Sequence, residues 1–372
     1  MTTVNAPWSS IARARMRRYT FFMPSHVAHL LFADDVVSAM SSSLNSNPLV
    51  EPPNHAYLAL GAQGPDIFYH NQRTRPTSIG YGSLMHRRGY GTCVAKMCAW
   101  AGRHDLELSS WAGALIIGFA THAVLDRHTH PFINAYSGWP EPDDPATQKY
   151  RSMHPFLERL IDVELLKMRR AIHPNELHFH SRVTCGEEPP TAWVKVMTNG
   201  LTGAYRKAKL DTKLEARVRN AYRDTMGFYR FTDRIDEAYL EEAIAREDAG
   251  RIGSRWLSII HPLEVPADLD VLNTSKRPWP HPCSDDASTR SFLDCYDEAL
   301  ETARAMANRI AVAWRGSRVD EEEIESAVAN WNLSDGRPTE RPCKKRFAQP
   351  LPLHELQARM RESIRAGSAG RL

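Results

Sequence analysis

The run Trp111-Ala112-Gly113-Ala114-Leu115-Ile116-Ile117-Gly118-Phe119-Ala120 has no polar side at helical periodicity. A helix that is apolar all round must be enclosed by other structure, and this requirement constrains the fold more than any other feature. The stretch Trp111–Leu125 is shorter than the roughly 20 residues that span a bilayer, so the enclosure has to be protein. A chain of 372 residues can provide it, as one large domain or two ordinary ones. The same run leads into His122 and Asp126, which are costly to bury unless partnered.

Helical spacing extends through most of the chain. Val27, Leu30, Leu31, Val36, Val37 and Met40 predict a first helix that stops in the Ser/Asn cluster Ser41–Asn47. Pro52, Pro53, Gly61, Gly64 and Pro65 mark a turn-rich segment. Ser83 is a fair N-cap for a helix over 84–102 that carries His86. Asp105 or Ser109 opens the central helix, which should stop near His128 because Pro131 disfavours helical geometry at His130. After the loop Pro140–Pro145 a helix is expected over 146–171, with others near 191–208, 211–230, 235–247, 289–315, 319–331 and 352–366. Pro262–Ser288 is a long connection. Alternating strands and hairpin signals are lacking, so the chain reads as all-α, a bundle of antiparallel helices. Its expected organisation is a basic extension over 1–22, a helical metal-binding domain over 23–250, a connection with C-terminal helices packing on that domain over 251–332, and a tail with a short helix over 333–372.

Composition narrows the function classes. Apolar residues make up 42% and charged residues 24%, which excludes a wholly disordered chain. A net charge of 47 − 44 = +3 gives no nucleic-acid signal, and the short patch Lys344-Lys345-Arg346 does not change that. Cys93, Cys98, Cys185, Cys283, Cys295 and Cys343 include no C-x-x-C pair, so free thiols are expected rather than a zinc ribbon or a disulfide scaffold. Arg13, Arg15, Arg17 and Arg18 precede Tyr19–Met23 without an adequate apolar h-region. The expected location is cytoplasmic, with no transmembrane segment.

Sixteen histidines matter here through their positions. His122 with Asp126, Asp126 with His130, and His154 with Glu158 are each spaced i, i+4, on one helix face about 6 Å apart along the axis. Two such side chains can reach one metal, and imidazole and carboxylate are ordinary zinc donors. The simpler alternative bonds His122 to a backbone carbonyl and pairs Asp126 with Arg127 or a lysine. It is preferred for either pair alone, but two pairs on consecutive helices, joined by His130, favour a metal site. Alone, Asp66 in Gly61-Ala62-Gln63-Gly64-Pro65-Asp66 reads as a turn or N-cap carboxylate. His86, beside Arg87 and Arg88, reads as a half-exposed surface residue, and His26 and His29 share a face on which one of them only packs. His104-Asp105 is a turn, His173, His178 and His180 with Glu176 a solvated loop, and Glu321-Glu322-Glu323 a dipole-favoured helix start.

In chain order, five segments resemble the zinc-dependent phospholipase C family. They are Met23-Pro24-Ser25 with His29 and Phe32; Gly61–Asp66 with Ile67-Phe68; Leu84-Met85-His86; His122–Pro131; and His154–Glu158 with Asp162. Leu272-Asn273 with Trp279, and Ser291-Phe292-Leu293-Asp294, resemble the downstream part of an uncharacterised intracellular bacterial branch. The resemblance implies that family's helical fold and two or three Zn2+ ions. Asp66, His86, His122 and Asp126 would hold one; Asp126 would bridge to a second, to which His29 contributes; His130, His154 and Glu158 would hold another. Secreted members complete the bridged site with the amine and carbonyl of an N-terminal tryptophan, whereas a basic segment precedes the first helix here and Trp8 is not N-terminal. The metal held by His29 is therefore the least secure. His26 remains open as an alternative to His29, and His128 to His130.

Closely spaced zinc ions bind the oxygens of a phosphate ester, lower the pKa of a bound water and stabilise charge gained at phosphorus. By the resemblance Asp66 is catalytic, a ligand that also orients or deprotonates the water. The expected activity is phospholipase C-like hydrolysis of phosphate esters: phospholipid headgroups, soluble esters or nucleotides. The alternative is a metal-stabilised helical binding or structural protein without turnover.

Overall fold

In the computed structural model, which describes residues 26–40, 47–233, 237–251 and 253–367, the elements are almost all helices. The first seven are α1 (His26–Ala39), α2 (Asn54–Ala62), α3 (Ile67–His70), α4 (Ile79–Met85), α5 (Tyr90–Gly102), α6 (Trp111–Ser137) and α7 (Met153–Arg170). They are followed by α8 (Pro174–Leu177), α9 (Phe179–Val183), α10 (Thr191–Ala204), α11 (Arg206–Lys209), α12 (Leu214–Thr232) and α13 (Glu237–Asp248). The C-terminal part adds α14 (Phe292–Ala313), α15 (Glu321–Val328) and α16 (Leu353–Arg365). Among the described residues, strands are confined to two antiparallel pairs of two residues each, Trp279–Pro280 with Ala287–Ser288 and Trp314–Arg315 with Arg318–Val319. The fold is all-α, as expected. The residues 1–22, Met23-Pro24-Ser25 and Trp8 lie outside the described residues.

The apolar run gets its enclosure. From Ala112 to Ser137 every residue of α6 except His128 is buried, and α1, α2, α5, α7 and α14 pack around it. No helix of the described residues is long and apolar enough to cross a membrane. The crossing with α2 is backbone on backbone. A Cβ on Gly118 would lie 2.2 Å from the Leu58 carbonyl oxygen, and one on Gly61 would lie 2.1 Å from that of Leu115. Gly61 thus serves a helix contact, which corrects the turn-rich reading of this segment. Beyond α2 a 3-10 turn, Gly64–Asp66, swings the chain across α6.

Several helix boundaries differ from expectation. Ser110, not Asp105 or Ser109, caps α6, its hydroxyl accepting from Gly113 N. α6 also continues through Pro131 to Ser137, because its last two turns are held from outside. An irregular segment between α15 and α16 lies along it as a strap, with Gln349 N donating to Ala135 O at 2.9 Å and Leu351 N to Tyr136 O at 2.8 Å. The expected 84–102 helix is instead α4 and α5, with Gly89 in the left-handed region (φ 71°) between them and His86 at the C-cap of α4. Likewise the expected 146–171 helix begins as a 3-10 turn, Pro145–Tyr150, before α7.

The Pro262–Ser288 connection places Trp279, 1% exposed, edge-on to Phe132 of α6 at 5.6 Å. Cys283 in that connection is disulfide-bonded to Cys343 of the strap. Free thiols were expected throughout, and they are found at Cys93, Cys98, Cys185 and Cys295 only. The bonded pair is 60 residues apart, so no local spacing announces it.

Candidate metal centre

Five elements deliver eight side chains to one buried cluster. His29 comes from α1, Asp66 from the 3-10 turn after α2, and His86 from the end of α4. His122, Asp126 and His130 descend one face of α6, and His154 and Glu158 one face of α7. Asp126 sits in the middle, its carboxylate facing both ways. Oδ2 lies 3.2 Å from His122 Nε2 and 3.7 Å from His86 Nε2; Oδ1 lies 3.3 Å from His29 Nε2 and 3.5 Å from His130 Nε2. Asp66 closes one end, 3.2 Å from His86 Nε2 and 3.5 Å from His122 Nε2. Glu158 closes the other, 3.1 Å from His154 Nε2 and 3.9 Å from His130 Nε2. The groups His29/His122/Asp126, Asp66/His86/His122 and His130/His154/Glu158 each bring their ligand atoms within 4.8 Å of one another.

The close approach of Gly64 makes the Asp66 end possible. Gly64 has φ 53°, and a Cβ there would lie 2.3 Å from His122 Cγ. Only a glycine lets the turn lie against that ring and still present Asp66.

Three imidazoles are pinned alike. Nδ1 of His86 lies 2.8 Å from Gly82 O, Nδ1 of His122 lies 3.0 Å from Ala62 O, and Nδ1 of His130 lies 2.6 Å from Leu333 O. A carbonyl only accepts, so each Nδ1 carries the proton and donates. In the neutral ring Nε2 is then a lone pair facing a carboxylate oxygen, acceptor against acceptor. Such a contact needs a positive charge between the two groups, a proton on Nε2 or a metal ion in its place, and backbone-anchored Nδ1 is how metal-ligating histidines are oriented. His122 Nε2, Asp66 Oδ1, Asp126 Oδ2 and Glu158 Oε2 are buried with no hydrogen-bond partner. Neutral imidazole and carboxylate oxygens suit zinc, so the residues present fit the ion.

The electrostatics tell the same story. Burial alone would depress the His122 imidazolium, yet the Asp126 and Asp66 carboxylates lift it to about 9. His86 is raised against burial by the same carboxylates, and Asp126, despite burial, is held well below the usual carboxylate range by His130 and His122. At the far end burial pushes Glu158 well above its ordinary value and pulls His154 down to about 3. One end draws positive charge onto its rings and the other cannot keep its carboxylate ionised alone. A bound cation relieves both conditions.

The residues left open by the sequence now have positions. His29 faces Asp126, while His26 is turned away, its Nδ1 accepting from Arg159 Nη1 at 2.6 Å beside the buried Asp162–His261 pair. His130 points into the cluster and His128 out of it, 3.9 Å from Glu298. His86 is buried, not half-exposed, and Arg127 spends its guanidinium on the carbonyls of Val328, Ala329 and Trp331 rather than on Asp126. His104 sits in a turn, as expected, and His173 caps α8. One contributor escaped the sequence reading: the strap's Leu333, whose carbonyl holds His130 and whose N–H donates to His86 O at 2.8 Å, carried no signal.

A family model described as zinc dependent phospholipase C matches residues 28–211, a span that contains all eight side chains. Nothing among the curated proteins or the solved structures matches the chain.

Proposed function

The chain belongs to the zinc-dependent phospholipase C family through residues 28–211, and from that premise we propose that it is a zinc-dependent hydrolase of phosphate esters, of phospholipid type. The observation that carries the reading is the set of three Nδ1-anchored imidazoles whose Nε2 atoms face buried carboxylates. In this proposal Asp66, His86, His122 and Asp126 hold one ion, His130, His154 and Glu158 another, and His29 with Asp126 contributes to the position between them. Zinc bound there supplies Lewis-acid polarisation of the phosphate oxygens and acidifies water. Asp66, at the end of its turn with Oδ1 unpartnered, orients the attacking water and accepts its proton. Asp126 fixes the spacing of the two halves, since its oxygens are divided between them. The carbonyls of Gly82, Ala62 and Leu333 keep three rings in the tautomer that ligation needs.

The disulfide bears on location. Such bonds persist in oxidising surroundings and are rare in the cytosol, so the Cys283–Cys343 bond supports an oxidising compartment over the cytoplasmic one first expected.

The test is zinc content and turnover measured on the same folded protein, with and without chelator. Asp66→Asn should lower turnover by roughly 10²-fold or more while the zinc at His130/His154/Glu158 stays bound. Full activity in that variant rejects the role of Asp66. Absence of turnover in zinc-loaded wild type, across phospholipid and soluble ester panels, rejects the hydrolase reading.

A further inference from the structure

We propose that α11 and the groove beside it form a docking surface for anionic phospholipid bilayers. The proposal goes beyond the hydrolase reading and takes from it only the lipid class of the partner. It concerns a face that carries none of the eight candidate ligands.

α10 ends at Tyr205, whose extended backbone (φ −130°, ψ 118°) turns the chain into the short helix Arg206–Lys209. Buried Tyr205 and Ala208 hold that turn to the protein, the Tyr205 hydroxyl donating to Arg88 O at 2.8 Å. Arg206, Lys207 and Lys209 are left outside, and Leu210 follows them 70% exposed. Lys207 Nζ lies 5.5 Å from the centre of the Tyr81 ring. Tyr81 belongs to α4, and Arg88 comes two residues after His86 at its C-cap, so the face adjoins the Asp66/His86 end of the metal centre.

Beside α11 a groove of about 860 Å³ opens between α5, α10 and α15, and Lys96, Arg103, Arg206, Lys209 and Leu210 line it. The carboxylate in its wall, Glu321, pairs with Lys96 at 2.6 Å, and Asp211 beyond Leu210 pairs with Arg217 at 2.8 Å. Among the described residues no carboxylate pairs with Arg103, Arg206 or Lys209. Three uncompensated cations around one opening attract anions, and each adds about fivefold to a partition coefficient at an anionic membrane. The volume is that of a small-molecule cleft, large enough for a headgroup. Leu210 decides for a bilayer over a free anion. An exposed leucine alone is ordinary, but one set among cations buries its side chain at the boundary of headgroups and acyl chains while they hold the phosphates. The end of α7 also exposes an apolar residue, Met168, among cations, but Arg169 there is bonded to Asp35 and Lys167 faces Glu164 at 3.9 Å.

The experiment is brief co-sedimentation of the zinc-loaded full chain with vesicles of phosphatidylglycerol in phosphatidylcholine, and of phosphatidylcholine alone, with headgroup analysis confirming that the lipid stays intact. Wild type should bind the anionic vesicles, release them at high salt, and bind the zwitterionic ones weakly. Arg206→Gln/Lys209→Gln should lower the partition coefficient about 25-fold, and Leu210→Gln about tenfold, at unchanged zinc content. Lys167→Gln/Arg170→Gln removes the same charge from the end of α7 and should change it less than about threefold. Equal binding to both vesicles, wild-type binding in Arg206→Gln/Lys209→Gln, or an equal loss in Lys167→Gln/Arg170→Gln overturns the proposal. So does binding to single-stranded RNA through Arg206 and Lys209 without binding to vesicles. Wild type that docks through α11 but cleaves neither vesicle lipid nor soluble esters supports the surface and rejects the hydrolase reading; turnover of soluble esters without vesicle binding does the reverse.

Discussion

Replacing Asp126 by Asn keeps the shape of the side chain and removes one negative charge from the middle of the cluster. The carboxylate oxygens lie 3.2–3.7 Å from Nε2 of His29, His86, His122 and His130, so the loss is felt on three helices at once. At an effective dielectric near 20, a unit charge at about 4 Å is worth about 4 kcal/mol for each unit charge it faces. That corresponds to roughly a thousandfold in a binding constant. The amide also turns one oxygen into a donor group aimed at imidazole nitrogens that would otherwise ligate. Purified Asp126→Asn should therefore lose at least one zinc relative to wild type and yield the remainder at lower chelator concentration. His26→Ala serves as the comparison, because that ring is bonded to Arg159 and not to the cluster. Elemental analysis and a chelator titration, on samples with wild-type circular dichroism, make the measurement. Wild-type zinc content and chelator resistance in Asp126→Asn would refute a shared carboxylate. Equal losses in the two variants would mean that His29 is not the ligand on α1.

Gly118→Ala should destabilise the fold by about 1–3 kcal/mol in urea denaturation, because its Cβ would sit 2.2 Å from Leu58 O. A gain in stability, as helix propensity alone predicts, would show that α2 and α6 do not touch there. Burial keeps His70 and His261 neutral, down to about 3 and about 4 against an ordinary value of 6.5. The unfolded chain then binds more protons, so stability of the zinc-free protein should fall as pH drops from about 6.5 towards 4, by up to about 3 kcal/mol per pH unit for the two groups together; denaturation midpoints that do not move between pH 7 and pH 5 would contradict this. Cys343→Ser should cost about 2–4 kcal/mol and free the strap; if zinc retention at the His130 end is then unchanged, the strap does not position that ligand.

The legible part of this protein was periodic or local. An all-apolar run forced a central helix, and i, i+4 pairs on it and on the next helix forced two ligand faces, because helical geometry alone places such side chains together. Asp66 and His86 are different. Nothing in their own surroundings separates a ligand from a turn carboxylate or a surface histidine, and they were assigned through the resemblance. What brings them in is backbone proximity: Gly61 and Gly118 let α2 lie on α6, and Gly64 lets the following turn reach His122. Glycines at a helix crossing and glycines at a turn look the same in a sequence, which is why the α2 segment read as turn.

The strap explains the remaining misreading. Pro131 cannot donate to the Arg127 carbonyl, so local rules end the helix before it. The helix survives because donors from Gln349 and Leu351 reach its final carbonyls from more than two hundred residues away in sequence, and because the guanidinium of Arg127 is fastened to the same C-terminal region. That continuation has a consequence for the cluster. His130 lies in the turn that local rules would have unwound, and its Nδ1 is fixed by Leu333 of the strap itself. A candidate ligand on α6 thus depends on a backbone carbonyl that side-chain identity does not encode, in a segment tied down by a disulfide between residues with no shared local pattern. The family-matched residues 28–211 supply all eight candidate ligands, yet the orientation of one of them is set from outside that span. Removing the strap should therefore disturb the His130 end of the cluster before the Asp66 end, whose rings are anchored by Gly82 and Ala62 within the matched span.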